Sequence, residues 1–139
     1  MEERITTAGI LVLDGRFLIA KRIDSGSIGG MWEFVGGKNR WGESEEETLK
    51  REFLEELGLT IEVEELVHTH DFVNKETLYH LKAYLVQLVL PFRPRLTVHT
   101  ELRWVLPSEL PRFAMAPSDQ AVVATLLSLL SGAEGDDPL

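Results

Sequence analysis

The sequence predicts an α/β protein whose sheet is covered by helices on both faces. Two observations lead to this. Short segments rich in β-formers recur along the chain between turn signals, and two stretches, Ser44–Leu57 and Pro117–Leu130, carry apolar residues at helical spacing instead.

The first strand is expected over Ile5–Leu13 and the returning strand over Arg16–Lys21. Asp14-Gly15 between them is a hairpin signal, because a type I′ turn needs positive φ at both central positions. Ile23–Met31 holds three Gly and two Ser and is expected to be a flexible loop. Trp32–Val35 reads as a short strand entering Gly36-Gly37.

Ser44 opens the clearest helix. Ser44 and Glu47 fit a capping box, in which each side chain satisfies the other's free backbone N–H. Leu49, Phe53 and Leu57 form one apolar stripe, and Gly58 follows as a stop. Leu59–Val67, Thr69–Val73, Thr77–Leu90 and Leu102–Val105 read as further strands, with Tyr79, Leu81, Ala83 and Leu85 on one face of the third. Pro107–Pro111 is expected to be a loop. The second helix, Pro117–Leu130, has its stripe at Val122, Val123, Leu126, Leu127 and Leu130. Gly132–Leu139 has the composition of a disordered tail, leaving residues 1–131 as a single expected domain.

The chain has 139 residues, 44% of them hydrophobic, and a formal net charge of −9. The acidic balance argues against a nucleic-acid polymer as partner, since phosphate backbones recruit Lys and Arg. A single nucleotide is compatible, because a bound metal inverts the local charge. With no Cys, thiolate catalysis, disulfides and Cys-type zinc sites are excluded. No signal-like or membrane-spanning segment is evident, so a soluble, cytoplasmic protein is expected.

The chemistry concentrates between Gly37 and Leu59. Glu52, Glu55 and Glu56 share one helical face. Like charges at that spacing each cost about 0.2–0.5 kcal/mol, and the C-terminal half of a helix further disfavours anions. Seven acids between Glu43 and Glu56 face only Lys50 and Arg51. A solvated face would be expected to mix signs, whereas this one gathers acids where they destabilise the helix. Hard divalent cations are held by carboxylate oxygens together with substrate phosphates, so the face makes sense as a metal platform.

This segment resembles the signature of the nudix hydrolases, in the order Gly37, Glu43, Arg51, Glu52, Phe53, Glu55, Glu56, Gly58, Leu59. Phe53 stands where the family usually has an aliphatic residue. Trp32–Lys38 is similar to the run before the box in the MutT-like branch, which usually has Pro where this chain has Val35. Phe113–Val123 resembles that branch's entry to its last helix. The resemblance covers roughly residues 4 to 131 and implies an α/β/α sandwich with a mixed sheet and two main helices.

The resemblance also implies a site. Glu52, Glu55 and Glu56, with the carbonyl of Gly36, would bind Mg²⁺, or Mn²⁺ in its place. Arg51 would hold the carboxylates, and Glu43 would support the loop or a further metal. A metal-activated water would attack a phosphorus of a diphosphate link, with Glu52 or a neighbour as base. Arg22, Phe34 and Asp119 match substrate-contacting places. Each also has a plainer reading: Arg22 as a surface charge, Phe34 as core, Asp119 as a helix cap.

Many MutT-like enzymes carry a Glu six positions before a Trp like Trp104. Here the count reaches Val98, with His99 and Glu101 as nearby substitutes. His68, His70 and His80 lack a zinc-site spacing. Trp41 reads either as pocket lining or as an exposed aromatic, and Met31 and Met115 as packing or pocket lining.

The expected function is pyrophosphohydrolysis of a modified or pyrimidine nucleoside triphosphate, giving a monophosphate and pyrophosphate. The alternatives are another nucleoside diphosphate derivative (ADP-ribose, a sugar nucleotide, a dinucleoside polyphosphate) and a non-catalytic nucleotide sensor. The expected partner is a small nucleotide, with neither nucleic-acid polymer nor membrane, and the chain is expected to be a monomer or homodimer.

Overall fold

The computed structural model describes residues 1–135. β1 (Glu2–Leu13) and β2 (Arg16–Arg22) form the expected hairpin, with Asp14 at φ 51° and Gly15 at φ 75°. β3 (Trp32–Glu33) is shorter than expected. The segment beyond it runs antiparallel to β1 instead: Gly9 N–H donates to the Val35 carbonyl and Thr7 N–H to the Gly37 carbonyl. α1 spans Glu45–Leu57.

β4 (Ile61–Asn74) is one long strand where two were expected. Irregular pairing at Val63/Leu66 and Leu66/His68 lets it bend without breaking, so Leu66 and Thr69, on either side of the expected break after Val67, lie on the same ladder. β4 turns into β5 (Thr77–Leu88) through Lys75 at φ 49° and Glu76 at φ 67°. That is a primed turn built without the Gly or Asn that usually signals one. β6 covers His99–Val105, three residues earlier than expected, and Pro107–Arg112 is a 3-10 turn where a loop was expected.

The last helix, α2, runs Pro117–Gly135. It therefore continues past Gly132, where the tail was expected to begin, through Ala133 and Glu134, both good helix formers. The side chain of Leu130 and residues 136–139 of that expected tail lie outside the described residues.

The sheet order is β3-β2-β1-β5-β4, with β6 also paired to β2. β1 and β5 are parallel, from Glu2↔Thr77 to Leu11↔Val86, and the other pairings are antiparallel. Alternation along the strands separates two cores. Ile10, Ile19, Leu81 and Ala83 pack with Val122 and Leu126 of α2. Leu11, Leu18 and Val86 pack on the other face with Leu49, Phe53 and Leu57 of α1. The expected α/β/α sandwich is what forms.

α1 follows its sequence closely. Ser44 Oγ accepts from Glu47 N–H while Glu47 accepts from Ser44 N–H, and Gly58 closes the helix at φ 66°. Phe53 has a specific partner across the interface. A Cβ on Gly9 of β1 would lie 2.5 Å from the Phe53 ring, so the aromatic ring fits because Gly9 lacks a side chain.

Candidate active site

Arg51 organises the acids of α1. Its Nε donates to Glu43 Oε2 at 2.6 Å and its Nη2 to Glu43 Oε1 at 3.0 Å, a two-pronged contact suited to a guanidinium. Nη1 donates to Glu52 Oε1 at 2.8 Å and to Glu55 Oε2 at 3.4 Å, and Nη2 also reaches the Lys38 carbonyl at 3.2 Å. Glu43 further accepts from Thr48 Oγ1 at 2.8 Å and from Arg40 N–H at 3.0 Å. The Arg51 bond, above all, holds the Glu43 carboxyl down to about 2. One guanidinium thus pins the loop before α1 to the helix and fixes how two helix carboxylates point.

Glu52 and Glu56 stand in a different environment. Burial pushes the Glu52 carboxyl up against the opposing pull of its Arg51 bond. Glu56 is pushed up to about 8, first by burial and then by the charges of Glu33 and Glu52. Glu56 Oε2 is buried with no hydrogen-bond partner among the described residues. Crowded carboxylates that resist ionising, with an oxygen left over, form a site that a hard divalent cation would satisfy. Glu55 is half-exposed, so it lies at the rim.

The glycine turn closes on this face. A Cβ on Gly37 would lie 2.6 Å from the Glu52 carboxyl carbon, and one on Gly36 would lie 2.1 Å from the Thr7 carbonyl oxygen. Val35 and Gly37 direct their carbonyls at β1. Alternation along an extended backbone then turns the Gly36 carbonyl away from β1.

Arg22 lies between two acids. Its Nη1 is 3.3 Å from Glu33 Oε2 and 3.5 Å from Glu56 Oε1. His99 Nε2 meets Glu33 Oε2 at 2.7 Å. Candidate ligand atoms of Glu33, Glu56 and His99 all fall within 4.8 Å of one another. Sequence reasoning assigned Glu33 no role. The available signal was its alternation against Trp32 and Phe34, which puts it on the α1 face while they enter the α2-side core.

The expected substrate residues converge on one cleft of about 400 Å³, lined by Arg22, Glu33, Phe34, Gly36, Gly37, Phe72, Tyr79 and Asp119 among others. Phe34 is only 3% exposed and belongs to the α2-side core as well as the cleft wall. Asp119 is buried, and its Oδ2 accepts from Phe34 N–H at 3.0 Å. Burial raises its carboxyl to about 7.

Of the other residues singled out, Trp41 is fully exposed and Met115 is core. His68 Nε2 meets His70 Nδ1 at 2.7 Å, and His80 bridges Asp71 and Glu3. No helix among the described residues is long and apolar enough to cross a membrane.

Comparison with known proteins agrees with this geometry. The family model of the NUDIX domain matches residues 7–125. The chain is 36% identical to the "Putative 8-oxo-dGTP diphosphatase 2" of Mycobacterium tuberculosis, over 98% of this chain and 96% of that protein. It is 33% identical to the CTP pyrophosphohydrolase of Escherichia coli K12, over 93% of this chain and 95% of that protein. The solution structure of the E. coli ORF135 protein superimposes with a TM-score of 0.85 at 31% identity, covering 95% of this chain and 94% of the other.

A carboxylate helix behind a glycine turn, on this sandwich, is the arrangement of a nudix hydrolase, and the chain belongs to that family. Within it the chain is MutT-like, an enzyme that acts on phosphoric anhydride bonds.

Proposed function

We propose that the enzyme is a Mg²⁺-dependent pyrophosphohydrolase of a nucleoside triphosphate with a modified purine or a pyrimidine base, releasing a monophosphate and pyrophosphate. The observation that carries this reading is the continuity of one cleft. Asp119 and Phe34 form its inner end, Arg22 stands along its wall, and Gly37 and Arg22 touch Glu52 and Glu56 respectively. A volume near 400 Å³ suits a nucleoside at one end with phosphates reaching the carboxylates at the other. The names of the two relatives, one for an oxidised purine and one for cytidine, support the same class.

In this reading Glu52, Glu55 and Glu56, with the Gly36 carbonyl, hold the cation. Bound Mg²⁺ supplies a Lewis acid that neutralises phosphate charge and acidifies water. Arg51 keeps Glu52 and Glu55 aimed, and Arg22 meets a phosphate. Asp119 reads a base edge, accepting when ionised and donating when protonated. Glu52 or a neighbouring carboxylate acts as the base. A cytoplasmic location fits an enzyme whose substrate is a free nucleotide.

A substrate screen with Mg²⁺, and with EDTA as control, tests the proposal. It covers ordinary triphosphates, 8-oxo-dGTP, 5-methyl-dCTP, ADP-ribose, a sugar nucleotide and a dinucleoside polyphosphate, with products separated. Monophosphate plus pyrophosphate from one triphosphate is the expected result. Cleavage confined to a conjugate would overturn the substrate class, and no turnover at all would overturn the catalytic reading.

A further inference from the structure

β6 does not keep even step with β2. Lys21 pairs with Glu101 and Arg22 with His99, so one step along β2 spans two along β6 and Thr100 is the extra residue. Leu102 and Trp104 pack toward the α1 side. Unbroken alternation from them would bring Thr100 and then Val98 to that face. The bulge brings His99 there instead. Beyond it the backbone is held by Ile23 N–H donating to the Val98 carbonyl at 3.0 Å.

The His99 side chain is completely buried, with Nε2 2.7 Å from Glu33 Oε2. Glu33 offers that nitrogen an acceptor, so Nε2 carries the hydrogen of the bond. Glu33 in turn shares Arg22 with Glu56, through the single nitrogen Nη1 at 3.3 and 3.5 Å. Among the described residues Arg22 Nε is buried without a partner, so there these two carboxylates are what hold the guanidinium. If Glu33 were free to turn away, Arg22 would close on Glu56 alone and bring its positive charge to the carboxylate meant for a cation.

We infer that His99 is a positioning residue which, by fixing Glu33, keeps Arg22 shared between Glu33 and Glu56, so that Arg22 does not neutralise Glu56 alone and Glu56 stays open to the metal. The inference rests on the proposed metal role of Glu56 and on no choice of nucleotide. It assigns Glu33, which the sequence signature omits, to the same relay.

The test reads Mn²⁺ binding by electron paramagnetic resonance without nucleotide, so the substrate assignment can fail independently. His99→Leu removes the donor and should weaken Mn²⁺ binding about 10-fold, the size seen when a group behind a metal ligand is lost. His99→Gln keeps an N–H for Glu33 and should recover most of the affinity. Adding Arg22→Leu to His99→Leu removes the competing cation and should restore binding. Wild-type affinity in His99→Leu would overturn the inference. So would weakened binding that Arg22→Leu fails to restore, which would make the imidazole a ligand or a fold element.

Discussion

The backbone N–H of Phe34 donates to Asp119 Oδ2 across 3.0 Å, joining residues 85 apart in the chain. The bond ties the first turn of α2 to the approach of the glycine turn. The bond favours the ionised carboxylate, but burial outweighs it and raises the Asp119 carboxyl to about 7.

This sets a stability profile. The folded protein holds the Asp119 proton more tightly than the unfolded chain does, with values of about 7 against 3.8. The resulting stabilisation is complete below 3.8 and is lost as pH rises through about 7. Asp119→Asn, which cannot titrate, should flatten the fall of Tm across that window. An unchanged slope in thermal melts would mean the carboxyl ionises normally.

Asp119→Ala should change relative rates across a panel of bases by about 10-fold or more, since a hydrogen-bonding partner is lost. The rate with the best remaining base should fall less. Equal losses for every base would remove Asp119 from the base end of the cleft.

Glu56→Gln should lower Mg²⁺-dependent turnover by about 100-fold or more while leaving the circular dichroism spectrum intact. The neutral amide keeps the shape and removes the charge that a cation needs. Wild-type turnover would remove Glu56 from the metal site.

The two glycines of the turn should fail differently. A methyl at Gly36 meets the Thr7 backbone, so Gly36→Ala should lower Tm. The atoms nearest a methyl at Gly37 are the movable end of Glu52, so Gly37→Ala should fold and lose about 10-fold or more in turnover through the displaced carboxylate. Paired melts and rates on the two variants read the contrast directly.

Arg51→Lys should cost about 1–3 kcal/mol, because an ammonium cannot span Glu43 and Glu52 as the fork does. Denaturant unfolding measures the loss.

Much of this was legible in the sequence because local rules decided it. The Ser44–Glu47 box and the Asp14-Gly15 turn needed only neighbours, and both formed as read. The Phe53 stripe was equally clear, though the reason for its ring lay in Gly9, on another element. What the sequence concealed depended on register. The spacing of the MutT-like relatives led from Trp104 back to Val98, with His99 and Glu101 as nearby substitutes, and only the extra residue at Thr100 decides that His99 comes to the α1 face. The Lys75-Glu76 turn had no composition signal because strand pairing on both sides imposes its positive φ. Glu33 looked like an ordinary strand residue until β2, β6 and α1 placed its three neighbours around it.

The parallel pairing of β1 with β5 has a consequence during synthesis. Arg4 meets Tyr79, and the whole of α1 lies in the intervening chain. The centre of the sheet therefore cannot assemble on the ribosome until β5 has emerged, and closing so long a loop makes this a slow step. Until then α1 has only the β1–β2 hairpin and the glycine turn bonded to β1 to lean on, and β6, which brings His99 behind Glu33, is still to come. The proposed cation site would then be complete only late in synthesis, once β6 has joined the sheet.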